Sequence, residues 1–309
     1  RRRRSMRQFT EDTLTDAVIE RIRENTPNPR FRQIMMAAAK HLHAFAREVE
    51  LTEEEWFEGI KFLTAVGKKC DDKRQEFILL SDILGLSMMI VALNHKTPPG
   101  ATEATVLGPF FTHGAPEFEY GADMTKNATV KGEPTWVTGR VLTTDGKPIA
   151  GATLDIWQAR ANGVYDIQDP DAEFELRGRV KTNAEGRYAF KTYKPAFYGV
   201  PDDGPVGDLL RASGNHKMRP AHMHAIVSAP GYQQVITHVF VAGDPYLDSD
   251  AVYAVKDSLI GQFKKVDSPE EAKKLGLPNP FTKLEWDFRL APAGATKARQ
   301  KIAASDAVT

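Results

Sequence analysis

Between residue 10 and about residue 95, apolar side chains return at steps of three and four. Phe31, Ile34, Met35, Ala38, Leu42, Phe45 and Val49 make one apolar helix face. Thr52-Glu-Glu-Glu55 has the capping-box pattern. It is expected to open a second helix with Trp56, Phe57, Ile60 and Leu63 turned inward. A third helix is predicted from about Lys73 to Asn94, through FILLSDILGLSMMIVAL. That run is apolar nearly all round, which predicts burial on more than one side. Three helices with this much apolar surface need a partner, and a helical homodimer interface is the expectation.

The period changes after KTPPGATEATVLGPFF, where Pro98, Pro99, Gly100, Gly108 and Pro109 do not suit a helix interior. Short strand-like runs follow from about Thr135: WVTGRVL, ATLDIWQ, LRGRVKT, RYAFKTY, HMHAIVSA and QVITHVFVAG. Turn residues separate them, notably Asp145-Gly146 and Asn183 to Gly186. The spacing predicts a β-sandwich. The expected fold class is therefore α+β: an N-terminal helical dimerisation domain over residues 1–110, then a mainly antiparallel β-sandwich catalytic domain over 111–309. No repeat of 20–50 residues is evident. Beyond Leu290 the Ala- and Lys-rich chain is expected to be a loosely held tail.

Composition narrows the classes. Lys plus Arg and Asp plus Glu both total 41, so the net charge is zero. With no basic stripe, nucleic acid is not the expected partner. The run Arg1 to Arg4 reads as a terminal tail. There is no apolar stretch of membrane-spanning length, and no apolar signal-peptide core follows the arginines. The one cysteine, Cys70, is expected to be a buried, inert thiol. A lone cysteine fits a reducing compartment, so a cytoplasmic location is expected.

Chemistry concentrates in RPAHMHAIVSAPGY. His222 and His224 are two apart in a predicted strand, so both rings leave the same face. About 7 Å separates their Cβ atoms, from the strand rise of ~3.3 Å per residue. Both rings can then converge on one metal with bonds of about 2.1 Å. The same pattern also fits two half-buried histidines bonded to a neighbouring strand. With no cysteine pair available, further ligands would be carboxylates, histidines or tyrosines. Tyr165 in QARANGVYDIQDP and Tyr198 in KPAFYGVPDDGP lie in loops beside predicted strands. A phenol titrates near 10, so a phenolate ligand at neutral pH needs a strong Lewis acid. A packed aromatic with a bonded hydroxyl is the alternative for each.

LDIWQARANGVYDIQDP, FELRGRVKTNAEGRYAFKTYKPAFYGVPDDGPVGDLL, RPAHMHAIVSAPGY and GDPYLDSDAVYAVKDSLI resemble the intradiol ring-cleavage dioxygenases, a family of catechol, chlorocatechol and hydroxyquinol 1,2-dioxygenases. QEFILLSDILGLSMM and PPGATEATVLGPFF carry the likeness into the helical half. The resemblance implies one Fe(III) per chain, held by Tyr165, Tyr198, His222 and His224. It implies an aromatic diol or triol and O2 as substrates, and a ring opened between two hydroxylated carbons to a muconate. Tyr198 would also act as a base, and Arg219 would place a fixed cation beside the ring. His238 stands where catechol-type members carry a glutamine, leaving two roles open: hydrogen-bond donor or additional ligand. Homodimers through the helices are implied, with a phospholipid at the interface beside Met88 and Met89 as a further expectation. Ordinary core packing is the alternative for those methionines.

Matching the family's pocket segments gives Leu79, Asp82, Val106, Gly108, Pro109, Phe110, Tyr253 and Ala254 as substrate-binding candidates. Asp82 is either a helix-surface carboxylate or an acceptor for an extra substrate hydroxyl. ILLSDILGLSMM and ITHVFVAGDPYLDSD are most similar to the hydroxyquinol branch, so hydroxyquinol (benzene-1,2,4-triol) is the expected substrate. Catechol or a chlorocatechol is the second expectation. The spaced carboxylates of DPYLDSD read as a solvated turn. Outside this family, a transthyretin-like binding module suits VTGRVLTTDGKPIAGATLDIWQ, but it leaves the two tyrosines and two histidines without a purpose.

Overall fold

A computed structural model describes residues 8–295. The expectations for Arg1 to Arg4, and for the chain beyond 295, fall outside the described residues. Two units separate by internal contacts, with the division at Thr64/Ala65.

The first unit carries α1 (Glu11–Asn25), α2 (Pro29–Glu48) and most of α3 (Glu53–Lys69). Asn28 caps α2 by accepting from Phe31 N–H at 2.9 Å, and Pro29 takes the first helical position, where no donor is missed. The Thr52–Glu55 capping box forms as expected: Thr52 N–H donates to Glu55 at 3.0 Å, and Glu55 N–H to Thr52 at 3.2 Å. The inward orientation does not hold. Trp56, Phe57, Ile60 and Leu63 are all exposed. Among the described residues nothing covers them.

The second unit begins with α4 (Glu76–Ile83) and α5 (Leu86–Asn94). They were expected to be one rod. Gly85 takes φ 71°, the left-handed region, and the axes meet at 80°. The bend changes which residues are covered. Leu79, Asp82 and Ile83 are buried, whereas Leu84, Leu86 and Met89 stay exposed. Among the described residues no single helix is long and apolar enough to cross a membrane.

The strands follow in order: β1 (Glu117–Phe118), β2 (Ala122–Asp123), β3 (Pro134–Thr143), β4 (Thr153–Gln158), β5 (Arg177–Lys181), β6 (Arg187–Tyr193), β7 (Tyr198–Gly199), β8 (Met218–Arg219), β9 (His222–Ser228), β10 (Val235–Val241), β11 (Ile260–Gly261), β12 (Lys264–Val266), β13 (Phe281–Glu285) and β14 (Phe288–Leu290). One sheet runs β1-β5-β4-β9-β10-β11, the other β12-β13-β3-β6-β2 with β14 also on β3. β7 and β8 form a separate pair. Helix α6 (Pro205–Ala212) lies between β7 and β8 in sequence, and α7 (Pro269–Leu275) between β12 and β13. The long ladders β3–β6, β4–β5, β4–β9 and β9–β10 are antiparallel, and parallel pairs join at the edges and at β13 and β14. The fold is α+β, with helices first and a sandwich after them.

Period-2 alternation divides β9 between two jobs. Met223, Ala225 and Val227 point into the sandwich core with Leu154 and Ile156 of one sheet and Val137 and Phe190 of the other. His222 and His224 therefore leave by the opposite, outer face. The chain just past Leu290 is better held than expected. Gln233 N–H donates to the Ala291 carbonyl at 2.8 Å, and Ala293 N–H to that of Gly231 at 2.9 Å.

Candidate metal centre

Neighbouring strands extend the outer face of β9. In register, His224 stands opposite Trp157 of β4 and His238 of β10. Trp157 stacks on the His224 ring at 4.6 Å and 12°. Gly108 closes the other approach: a Cβ there would lie 3.3 Å from His224 Cε1, and its φ is +77°. These contacts leave the imidazole little room to turn.

Two loops bring the tyrosines over. Tyr165 precedes a 3-10 turn, Asp166–Gln168, and its N–H donates to Gln168 at 2.8 Å. Asp166 is fixed from below by buried Arg177, with Nε 2.9 Å from Oδ2. Tyr198 sits on β7 directly opposite Arg219 of β8. Phe110 stacks on Tyr165 at 4.5 Å.

The donor atoms converge. The Tyr165 hydroxyl lies 3.3 Å from that of Tyr198, 3.4 Å from His222 Nε2 and 3.1 Å from His224 Nε2. The two Nε2 atoms are 3.2 Å apart. An ion with bonds of about 2.1 Å holds adjacent donors roughly 3 Å apart, so the set fits a metal. Protonation agrees. His222 Nδ1–H donates to the Pro220 carbonyl at 2.7 Å, which leaves the lone pair on Nε2. Burial, then the Arg219 charge, brings the His222 pKa down to about 3, and burial with neighbouring imidazoles holds His224 well below its usual value. Both rings are neutral donors. Burial pushes the Tyr165 phenol well up, so its ionisation needs a cation beside it.

His238 is fully buried on the same face. A ring nitrogen from each of His222, His224 and His238 lies within 4.8 Å of the others. Its Nδ1 meets the Thr105 hydroxyl, while Nε2 has no partner. Arg219 is buried too, with NH1 3.3 Å from His222 Nε2. Burial disfavours its charge, but Asp250 and the two tyrosines outweigh that and hold the guanidinium pKa up.

Of the pocket candidates, Leu79, Pro109 and Phe110 line one cavity of about 480 Å³, with Ile167, Gln168 and Pro201. Val106 and Ala254 are buried, and the Ala254 N–H donates to Asp250 at 3.0 Å. Asp82 is buried at 3% exposure, so it is no helix-surface carboxylate. Burial raises its pKa, opposed by a hydrogen bond from Ser87 and the Arg219 charge. Tyr253 borders a different cavity of about 520 Å³, with Ile83 and Asp250. Asp250 was not singled out, because DPYLDSD reads as a solvated turn. It is buried against Arg219, a contact spanning 31 residues of sequence. Cys70 is only half-buried, and its Sγ lies 3.2 Å from Gln75 Oε1 and 3.4 Å from the Val66 carbonyl.

A catechol dioxygenase N-terminus model matches residues 28–102, and a dioxygenase model matches residues 106–292. The chain belongs to the intradiol ring-cleavage dioxygenases. Among relatives, it is 54% identical to a 6-chlorohydroxyquinol 1,2-dioxygenase of Cupriavidus pinatubonensis, over 84% of this chain and 93% of that one. It is 49% identical to a hydroxyquinol 1,2-dioxygenase of Rhizobium sp., over 92% and 96%. A solved hydroxyquinol 1,2-dioxygenase from Pseudomonas putida DLL-E4 superposes with a TM-score of 0.85 at 48% identity, covering 91% of this chain and 98% of that one. Intradiol dioxygenases depend on iron, and the buried imidazole cluster gives iron a place here.

Proposed function

We propose that this intradiol dioxygenase opens hydroxyquinol with O2, giving 3-hydroxy-cis,cis-muconate, the enol form of maleylacetate. Both atoms of O2 end in the product. One Fe(III) per chain would be held by Tyr165, Tyr198, His222 and His224. The observation that carries this reading is the convergence of hydroxyls and Nε2 atoms at 3.1–3.4 Å on a buried face. Bound iron supplies a Lewis acid that draws charge from the diol oxygens. Hard phenolate donors favour the ferric ion over the ferrous.

The remaining roles fall to the chain. Tyr198 takes up a proton as the diol binds. Arg219 holds a fixed cation where negative charge develops on the ring. His238 donates a hydrogen bond. Leu79, Val106, Gly108, Pro109 and Phe110 bound the ring on one side, Tyr253 and Ala254 bound it from the loop that borders the other cavity, and Asp82 accepts from the third hydroxyl. A buried carboxylate suits that last role, because a diol lacking the hydroxyl leaves it unpaired. The 6-chlorohydroxyquinol relative supports a second reading, in which the ring also carries chlorine.

The same proposal covers organisation. Residues 1–110 are the helical part that serves pairing and 111–309 the catalytic sandwich, with Leu79, Asp82 and Val106 to Phe110 reaching the site from the first part; the gap between the family matches, 103–105, lies a few residues before that boundary. The exposed Leu42, Phe45, Trp56 and Phe57 support a homodimer, and exposed Met89 supports a lipid contact on α5. A cytoplasmic location completes the reading. The test is iron analysis with a visible spectrum, before and after anaerobic hydroxyquinol or catechol. A tyrosinate-to-iron band, iron near one per chain, and faster O2 uptake with hydroxyquinol are expected. A colourless protein still inactive after ferric reconstitution would defeat the proposal.

A further inference from the structure

The chain between α5 and β1 gives His238 an unusual neighbour. Thr105 N–H donates to the Ile236 carbonyl at 2.9 Å, and the Thr237 hydroxyl donates to that of Glu103 at 2.7 Å. The 103–105 segment is thereby fastened along β10. This seats the Thr105 hydroxyl against His238 Nδ1, both residues being buried.

The hydrogen-bond inventory then decides the tautomer. Among the described residues, Nδ1 is the one acceptor that the Thr105 hydroxyl meets. If Nδ1 carried the hydrogen of a neutral ring, two buried groups would be unmet, the Thr105 hydroxyl proton and the Nε2 lone pair, against one in the other tautomer. With the hydroxyl donating, the hydrogen lies on Nε2. A cationic ring would carry hydrogen there as well, so the conclusion does not depend on charge. Yet Nε2 is buried without a partner, and the ring centre lies 4.2 Å from that of His224 and 4.8 Å from that of His222. A buried N–H with no partner is one of the rare features that ask for a missing acceptor.

We infer that Thr105 fixes His238 in its Nε2–H form, making it a hydrogen-bond donor to an oxygen held at the metal centre and not a further metal ligand. Thr105 is a positioning residue. The inference deepens the role given to His238 above and rests on that reading. The acceptor would be an oxygen of the diol or of solvent at the centre that Tyr165, Tyr198, His222 and His224 would form.

The test uses the full chain with 15N-labelled histidine, without metal. His238→Gln identifies the residue's signals among the eight histidines. Two-bond 1H–15N correlations report which nitrogen carries hydrogen. Nε2–H is expected in wild type and in Thr105→Ser, and its loss in Thr105→Val. In the iron-loaded protein, Thr105→Val should lower kcat roughly tenfold with KM little changed, and Thr105→Ser should restore it. A change of the visible band in Thr105→Val only after diol addition assigns the acceptor to the diol, and a change beforehand assigns it to solvent. A wild-type His238 carrying hydrogen on Nδ1, or Thr105→Val retaining the wild-type tautomer, overturns the inference. Wild type with Nε2–H that cleaves no diol would defeat the proposed function and leave the Thr105 assignment standing.

Discussion

Arg219 and Asp250 grip each other twice: Nε lies 2.9 Å from Oδ1, and NH2 lies 3.2 Å from Oδ2. Both side chains are buried, and Asp250 also accepts the N–H groups of Val252 and Ala254. The carboxylate thus aims the guanidinium and shapes the loop carrying Tyr253. Asp250→Asn removes the charge and leaves a buried cation unpaired. A loss of about 3 kcal/mol in unfolding free energy is expected from urea titration. kcat/KM should fall by roughly 100-fold or more while iron content stays near wild type. Full activity in the variant would remove Asp250 from this role.

Asp82 is expected to set selectivity. Asp82→Ala should lower kcat/KM for hydroxyquinol by roughly 100-fold, the scale of a lost hydrogen bond to a charged acceptor. Catechol turnover should change by only about threefold. Equal losses on both substrates would mean that Asp82 does not read the third hydroxyl.

The same carboxyl predicts a pH effect on stability. Burial raises its folded pKa above the unfolded value of about 3.9. The sign follows from linkage: its contribution is full below the unfolded value and is lost as pH rises through the folded one. Asp82→Asn cannot ionise. Measured by urea midpoints from pH 4 upward, the variant should gain on wild type as pH rises, then level off. Parallel curves would contradict this.

Gly108→Ala places a methyl against His224 Cε1 in a left-handed backbone. About 1 kcal/mol of stability should be lost from the conformation alone. The displaced imidazole should also release iron more readily to a chelator. Retention equal to wild type would show that the ring tolerates displacement.

Tyr165→Phe deletes the hydroxyl that touches three other donor groups. Iron content should drop well below that of wild type, and the tyrosinate band should weaken. An unchanged band would assign the colour to Tyr198 alone.

Much of this architecture is legible because alternation is a local signal. The strands fall where WVTGRVL, ATLDIWQ, RYAFKTY and HMHAIVSA place them. His222 and His224 share a face as their spacing demands. What escaped is non-local. The bend at Gly85 is hidden inside an apolar run, because composition alone does not distinguish one rod from two short helices. Trp56 and its neighbours read as inward because periodicity identifies an apolar face and not what covers it. Asp250 looked solvated because its acidic neighbours Asp244 and Asp248 set the local character, while its partner is 31 residues away. Thr105 gives no sign until β10 is laid beside it.

The alternation of β9 carries a last consequence. Met223, Ala225 and Val227 fill the core while His222 and His224 leave by the other face. A slip of one residue would exchange the two sets, burying imidazoles among aliphatic side chains and presenting methyl groups to the tyrosines. Such a chain could be compact and still bind no iron. Metal uptake during refolding therefore reads out strand register, a property that circular dichroism and hydrodynamic size do not report.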